Sequence, residues 1–360
     1  MVDLEHLYGS SNVEVKVDGK TILEQVLEQG RYILEAPMPA VTSQQKSRYT
    51  ILIDGRVVEK GSVIRTPKKD MTAADYIDTR MGTAHSRWMI APGSWMPFSM
   101  VKLSPDNQNP GWQAGYEPSF ESIGTFSHIH EWTMAGLGIM PVNGPLKTKI
   151  GDQSIFKKDT LSYRSLIDKQ SEEAKVGYYK ADLTDYNIKA ELTSTTRCGF
   201  QRYSYPPGTD SRVMIDLKVP SEYRFDILEA KINRVSSRRI EGYSKQQSKK
   251  VWSSDVNQDY VIYFVIEFDR DIMNFGGWVN NEILNEEEIY AESPEIMGCF
   301  AEFDTRRNQV VQVRSGISYV DMDGASNNLN AEITRPFNWN FDAIRDSHRQ
   351  AWNDILSRIY

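Results

Sequence analysis

Alternation of apolar and polar residues predicts β-strands along most of this chain. Residues 13–22 (VEVKVDGKTI) alternate with the period of two that is typical of a half-buried strand. Residues 48–65 contain two such runs joined at Asp54-Gly55, a dipeptide typical of tight hairpin turns. Further short alternating runs occupy residues 175–225 and 250–320. Many short strands separated by turn residues favour an all-β fold, an antiparallel β-sandwich.

The C-terminal segment has a different period. Trp352, Ile355, Leu356 and Ile359 are spaced by three, four and seven residues, as on the apolar face of an amphipathic helix. We therefore expect residues 336–360 to form a linker helix whose apolar face needs a partner. The sequence ends inside that helix, which leads us to expect a further domain after it.

Changes in composition divide the rest of the chain. Residues 1–70 are expected to form a small accessory β unit that ends near Pro67, and residues 71–335 the main sandwich. Residues 88–145 are dense in Trp, Met, Gly, Pro and His and have weak periodicity. This composition predicts long loops, and loops carry function more often than core elements do.

Composition excludes several classes of protein. The 360 residues carry a formal net charge of -7, and basic and acidic residues are mixed, so we expect no nucleic-acid partner. No apolar run approaches the roughly 20 residues of a transmembrane helix, and the first residues do not resemble a signal peptide. The two cysteines, Cys198 and Cys299, are predicted to be buried thiols, although a disulfide between them is an alternative.

Aromatic, imidazole and carboxylate side chains are concentrated between residues 112 and 132. Aromatic faces that stack on a pyranose, with imidazoles that bond its hydroxyls, would make a sugar site. A metal site is a weaker interpretation, because zinc needs three or four ligands and only His85 is nearby in sequence. In the third interpretation the histidines are strand residues bonded to the backbone and the tryptophans are core. The candidate substrate-binding residues are Trp112, Tyr116, His128, His130, Glu131 and Trp132.

Two other polar residues are interpreted as structural. Asp106 follows Pro105 and is expected to cap the turn that the proline begins. Arg202 lies in a predicted strand and is expected to pair with a carboxylate. Among the 49 acidic residues no spacing singles out a pair of acids.

Several motifs in the same order resemble the N-terminal domain of glycoside hydrolase family 92. The resemblance runs from Tyr76 to Tyr360. Its segments are Tyr76 to Thr83 (ending in Gly-Thr), Ala91 to Asp106 (ending in Ser-Pro-Asp), Gly111 to Tyr116, Phe126 to His130 (Phe-Ser-His-Ile-His), Gly199 to Pro206, Phe275 to Trp278, Gly316 to Ser318 and Trp352 to Ile359.

This resemblance implies a two-domain enzyme, in which an N-terminal β-sandwich precedes a C-terminal (α/α)6 barrel. Members of the family are inverting, exo-acting α-mannosidases that need calcium, with mannose-containing glycans, such as N-glycans or α-mannosides, as substrates. Their catalytic acid and base and most calcium ligands lie on the barrel, so no catalytic residue and no metal ligand is expected in this chain. Family members are commonly exported, which implies a periplasmic or extracellular location.

The chain departs from the family pattern beside the presumed sugar site. Glu131 and Trp132 follow the second histidine, where a Leu-Ser-Gly-Thr-Gly-like stretch is typical, and Ser99 replaces a glycine. These changes affect the expected sugar specificity more than the fold. Two alternatives stay open: a stand-alone carbohydrate-binding β-sandwich module, or an interaction domain whose aromatic loops are core.

Overall fold

A computed structural model describes residues 2–67, 71–83, 91–107, 115–131, 134–151, 161–219, 221, 223–250 and 256–358. The chain divides into two compact units, Met1–Met71 and Thr72–Tyr360. The predicted division after residue 70 lies next to this boundary.

The first unit contains a four-stranded sheet with the order β3-β2-β5-β6 and a two-stranded sheet of β1 and β4. Val13, Val15 and Val17 alternate inward as predicted. Residues 13–22 are not one strand, however, because Asp18 and Gly19 adopt positive φ and turn the chain into a hairpin. The strands are β1 (Val2–His6), β2 (Ser11–Val17), β3 (Lys20–Leu27), β4 (Gly30–Leu34), β5 (Gln45–Ile53) and β6 (Arg56–Arg65). The predicted hairpin at Asp54-Gly55 is confirmed.

The second unit is an antiparallel β-sandwich, as predicted. Its two large sheets have the strand orders β21-β20-β23-β16-β10-β9-β7 and β12-β13-β14-β15-β24-β19-β18-β17-β22, and β8 pairs with β11. The strands are β7 (Ser104–Asp106), β8 (Ser122–Ile123), β9 (Thr125–His130), β10 (Ala135–Val142), β11 (Ser165–Leu166), β12 (Glu173–Lys175), β13 (Tyr178–Leu183), β14 (Ile188–Ser194), β15 (Cys198–Ser204), β16 (Ser211–Asp216), β17 (Phe225–Ser236), β18 (Arg239–Ser248), β19 (Gln258–Phe268), β20 (Asn274–Val279), β21 (Glu282–Leu284), β22 (Glu288–Glu292), β23 (Met297–Phe303) and β24 (Val310–Ser318).

Part of the segment predicted as long loops in fact forms three strands at one end of the seven-stranded sheet. Strands β7, β9 and β10 lie side by side, and every residue of all three is buried. A strand that is covered on both faces has no polar side, so its sequence does not alternate. The prediction that residues 88–145 are long loops is therefore wrong for these strands.

The C-terminal segment packs against the second large sheet. A 3-10 turn (Ala73–Tyr76) begins the unit, and the final elements are α1 (Met322–Leu329), a π-helical turn (Asn330–Thr334), α2 (Arg335–Phe337) and α3 (Phe341–Leu356). Phe341 and Ile344 of α3 are buried in one cluster with Cys198 and Phe200. The predicted helix therefore has a partner for part of its apolar face within the same compact unit.

Three smaller predictions have clear outcomes. Arg202 forms ion pairs with Glu191 (2.8 Å) and Asp342 (3.1 Å), which confirms its structural role. Cys198 and Cys299 are free, buried thiols, so the disulfide alternative is wrong. Among the described residues no helix is long and apolar enough to span a bilayer.

Candidate functional site

The end of β9 brings two histidines and a glutamate next to β7 and β10. Ser104 and Asp106 of β7 pair with Ser127 and Thr125 of β9, and Ala135 of β10 pairs with His130. Every residue of the Phe-Ser-His-Ile-His run is buried, and Phe126 and Ile129 belong to the main hydrophobic core. We use the name histidine cluster for Lys102, Asp106, His128, His130 and Glu131.

His130 forms the link between the strands. Its Nδ1 lies 2.8 Å from the Lys102 carbonyl oxygen, and its Nε2 lies 3.1 Å from Oδ1 of Asp106. Both side chains are only 1% exposed. Nε2 also lies 3.4 Å from Oγ of Ser127. The His130 ring therefore connects the Lys102 backbone with the buried carboxylate of Asp106.

Asp106 is not a turn cap, contrary to the prediction. Its carboxylate oxygens are buried, and among the described residues neither accepts a well-aligned hydrogen bond. Gly115 lies over this carboxylate with φ +79°, and a Cβ atom there would overlap Oδ1 of Asp106. The glycine is thus required both by its backbone conformation and by the space that Asp106 occupies.

His128 has a different environment, inside the sandwich core. Its Nδ1 lies 2.8 Å from the Leu137 carbonyl oxygen, and its Nε2 lies 2.6 Å from Oγ of Ser315. Donation by Nδ1 and acceptance by Nε2 satisfy a neutral ring completely. Burial lowers the pKa of His128 to about 4. The side chain has no exposed surface, which matches the third interpretation, a strand histidine bonded to the backbone.

Glu131 is the solvent-facing member of the histidine cluster. Its carboxylate pairs with Nζ of Lys102, and its side chain is 46% exposed. The same ammonium lies 5.3 Å from the centre of the Trp95 ring, which in turn lies 6.2 Å from the His130 ring. An exposed carboxylate, an ammonium and an indole therefore adjoin the buried Asp106–His130 pair.

Tyr116 is a core residue rather than a surface platform. Its ring is fully buried, and its hydroxyl donates to Oε1 of Glu172 at 2.8 Å. Burial and the neighbouring Glu172 carboxylate raise the pKa of Tyr116. The rings of Tyr116, His128 and His130 are buried. This position does not favour the predicted direct contact of these residues with a sugar. Trp112 and Trp132 lie outside the described residues.

Helix α3 fixes the backbone of the loop that carries Trp95. Nε2 of His348 lies 2.8 Å from the Trp95 carbonyl oxygen, and Nε1 of Trp352 donates to the same oxygen at 2.6 Å. Nδ1 of His348 lies 2.8 Å from the Ser194 carbonyl oxygen. Sequence reasoning missed this link, because nothing local relates residue 95 to residues 348 and 352.

Calcium does not fit the residues that the structure describes. Within the described ranges no group of three or more His, Cys, Asp or Glu side chains is arranged to hold a metal ion. Asp106 has the His130 imidazole beside it, and within the described ranges no ion pair or hydrogen bond joins it to a second carboxylate. Calcium typically takes six to eight oxygen ligands, so we derive no step through this ion.

Comparison with known families identifies the sandwich. The sequence model of the glycosyl hydrolase family 92 N-terminal domain matches residues 76–318, more than half of the chain. The chain belongs to this family. The match includes every residue of the histidine cluster.

Solved structures of family 92 enzymes share the fold. The chain is similar to a family 92 α-mannosidase from Bacteroides thetaiotaomicron, with 23% identity, a TM-score of 0.69, and coverage of 80% of this chain and 38% of that one. It is also similar to an inverting family 92 mannosidase from Bacteroides thetaiotaomicron VPI-5482, with 21% identity, a TM-score of 0.65, and coverage of 81% and 37%. The family 92 chain thus spans less than two fifths of the length of these relatives. No curated protein sequence matches it.

Proposed function

We propose that this family 92 chain is the N-terminal, sugar-pocket-contributing domain of an exo-acting, inverting α-mannosidase-like glycoside hydrolase. The proposed partners are mannose-containing glycans, such as N-glycans or α-mannosides. The observation that carries the proposal is the family match over residues 76–318, which includes the exposed carboxylate of Glu131 beside the buried Asp106–His130 pair. The two similar solved proteins named above are mannosidases, which supports this substrate class.

In this proposal the exposed side of the histidine cluster contacts the sugar. Glu131 accepts a hydrogen bond from a sugar hydroxyl, and Lys102 donates one, because the two side chains already lie together at the surface. His130 holds the Lys102 backbone through its carbonyl oxygen, and Asp106 orients His130. His128 is then a positioning residue between β9 and β24. Stacking of Trp112 and Trp132 on the sugar ring stays part of the proposal.

The catalytic acid and base are proposed to lie on a C-terminal (α/α)6 domain. An inverting enzyme needs two carboxyl groups about 6.5–9.5 Å apart with a water between them. In the histidine cluster the only carboxylates are Asp106, which is buried against His130, and Glu131, which is paired with Lys102. We also propose that the calcium ligands lie on the helical domain and that the enzyme is exported.

The first test is hydrolysis of an aryl α-mannoside by the 360-residue chain, with and without added calcium. We expect no turnover above buffer in either condition, because the acid and base are proposed to lie elsewhere. Turnover that Glu131→Gln abolishes would instead place catalysis in this sandwich. Glu121→Gln, at an exposed glutamate outside the histidine cluster, is the matched control.

The second test is binding of α-mannosides, measured by calorimetry. We expect weak binding that Trp112→Ala and Glu131→Gln each reduce by about tenfold, the loss of roughly one good polar or stacking contact. Binding that neither substitution changes would remove the histidine cluster from the proposed sugar pocket.

A further inference from the structure

A polar cavity lies in the second unit and shares no lining residue with the histidine cluster. It has a volume of about 380 Å³. It forms where the end of β16, the turn between β20 and β21, the approach to β23 and the segment before residue 152 meet. We use the name Asp216 pocket for the cavity that is lined by Lys149, Asp216, Lys218, Asn280, Asn281 and Glu295.

The floor of the pocket is a buried, oriented carboxyl group. Asp216 is only 3% exposed. Its Oδ2 accepts a hydrogen bond from the Tyr163 hydroxyl at 2.9 Å, and its Oδ1 accepts one from the Lys218 backbone N–H at 2.8 Å. Each oxygen keeps a second acceptor position, so the group can still bond a ligand. Burial raises the pKa of Asp216 to about 7, so near neutral pH it either donates or accepts.

One wall of the pocket is formed by Lys218, whose ammonium group already has partners. Nζ of Lys218 bonds the Phe225 carbonyl oxygen and lies 4.4 Å from the centre of the Phe225 ring. Burial lowers the pKa of Lys218. A lysine held in this way can line a polar cavity without acting as a free charge that attracts anions.

The rim of the pocket carries polar groups of both signs. Among the described residues the side chains of Lys149 and Asn281 form no hydrogen bond or ion pair, and the Glu295 carboxylate interacts electrostatically with Lys218. Asn280 uses its Oδ1 to accept from the backbone N–H of Glu295 at 2.8 Å, which fixes the turn. One ammonium, one carboxylate and amide groups therefore surround the opening, and no sign of charge predominates.

This chemistry selects a class of ligand. The volume falls within the roughly 300–1,000 Å³ of small-molecule sites. Mixed donors and acceptors suit a ring with several hydroxyl groups, since each hydroxyl both donates and accepts. Ile150 and Ile296 add apolar surface for its C–H groups. Balanced charge disfavours a strongly ionic ligand. We propose that the Asp216 pocket is a second carbohydrate site, which binds a neutral pyranose ring through its hydroxyl groups.

Saturation-transfer NMR and calorimetry on the 360-residue chain test this site. The neutral probes are methyl α-mannopyranoside and methyl β-glucopyranoside, and the charged comparators are glucuronate and glucosamine. In the Glu131→Gln background, which weakens the histidine cluster, we expect at least one neutral probe to bind in the millimolar range, with its affinity reduced about tenfold or more by adding the double change Asn281→Ala, Glu295→Ala. The control, Asn285→Ala with Glu286→Ala, removes the same residue types from a neighbouring exposed turn and should leave binding unchanged.

Three outcomes would overturn the inference. One is the absence of saturation transfer to either neutral probe at concentrations up to about 50 mM. Another is binding that Glu131→Gln abolishes while the Asn281→Ala, Glu295→Ala variant leaves it intact, since the sugar would then occupy the histidine cluster alone. The third is glucuronate or glucosamine binding about tenfold tighter than both neutral probes, which would make the site ionic. None of these outcomes depends on aryl mannoside hydrolysis.

Discussion

The histidine cluster and the Asp216 pocket both bury a carboxyl group in the same seven-stranded sheet, yet they compensate its burial differently. Asp106 contacts the His130 imidazole, whose Nε2 lies 3.1 Å from Oδ1 of the carboxylate. Asp216 accepts hydrogen bonds from a phenol hydroxyl and a backbone N–H, and burial raises its pKa. A buried carboxylate whose described donors are neutral thus becomes a pH-sensitive group.

The largest expected effect is the pH dependence of stability from Asp216. Its folded pKa of about 7 lies above the ordinary value of 3.8, so its contribution is complete below about pH 4 and is lost as the pH rises to about 7. The loss is up to about 4 kcal/mol. Urea unfolding from pH 4 to pH 8 should show that Asp216→Asn removes this decline. Asp323→Asn, at an exposed position in α1, should retain it, and an unchanged decline in Asp216→Asn would contradict the assignment.

His128 should produce a slope of the opposite sign. Its folded pKa of about 4 lies below the ordinary 6.5, so its contribution is present above pH 6.5 and is lost as the pH falls to about 4. The loss is up to about 3 kcal/mol. In the same unfolding series, His128→Gln should remove this loss of the free energy of unfolding at acid pH. His6→Gln, in the other unit, is the control. If the free energy of unfolding falls equally steeply at acid pH in both variants, another group causes the fall.

Alanine substitutions at two glycines would distinguish the cost of backbone strain from the cost of crowding the carboxylate of Asp106. Gly115 and Gly144 have nearly the same φ, +79° and +78°, but only Gly115 has Asp106 in the way of a Cβ atom. Left-handed backbone costs alanine about 1–2 kcal/mol at either site. Overpacking adds about 1–3 kcal/mol at Gly115. Chemical denaturation should therefore show Gly115→Ala to be about 2 kcal/mol less stable than Gly144→Ala, and equal losses would mean that Asp106 moves aside freely.

The smallest expected effect on stability belongs to Glu131. Its ion pair with Lys102 is about half exposed, so Glu131→Gln should change the free energy of unfolding by less than about 0.5 kcal/mol. The same variant should still weaken α-mannoside binding. A large loss of stability would mean that Glu131 supports the fold, and its binding defect could not be attributed to sugar contact.

The fold was predictable where its signals are local. The hairpin at Asp54-Gly55 follows from two residues and their flanking alternation, and Arg202 was recognised as an ion-pair residue inside a strand. Strands β9 and β10 were missed, because complete burial removes the alternation on which a strand prediction depends.

The location of the candidate site could be predicted from the sequence, but most of its contacts could not. The density of aromatic and imidazole groups located the end of β9, but the sequence did not show that Asp106 faces His130, since strand pairing brings them together. The Asp216 pocket gave no sequence signal at all. Tyr163, Asp216 and Glu295 come from separate segments, and no motif relates them.

The packing of helix α3 has a practical consequence for anyone who shortens this protein. A truncation at residue 318, where the family match ends, would remove the aromatic cover of Phe200 and both donors to the Trp95 carbonyl oxygen. The trimmed product would expose apolar surface and release the loop that carries Trp95. Residue limits for recombinant expression should therefore follow the packing of Phe341 and His348 rather than the extent of sequence similarity.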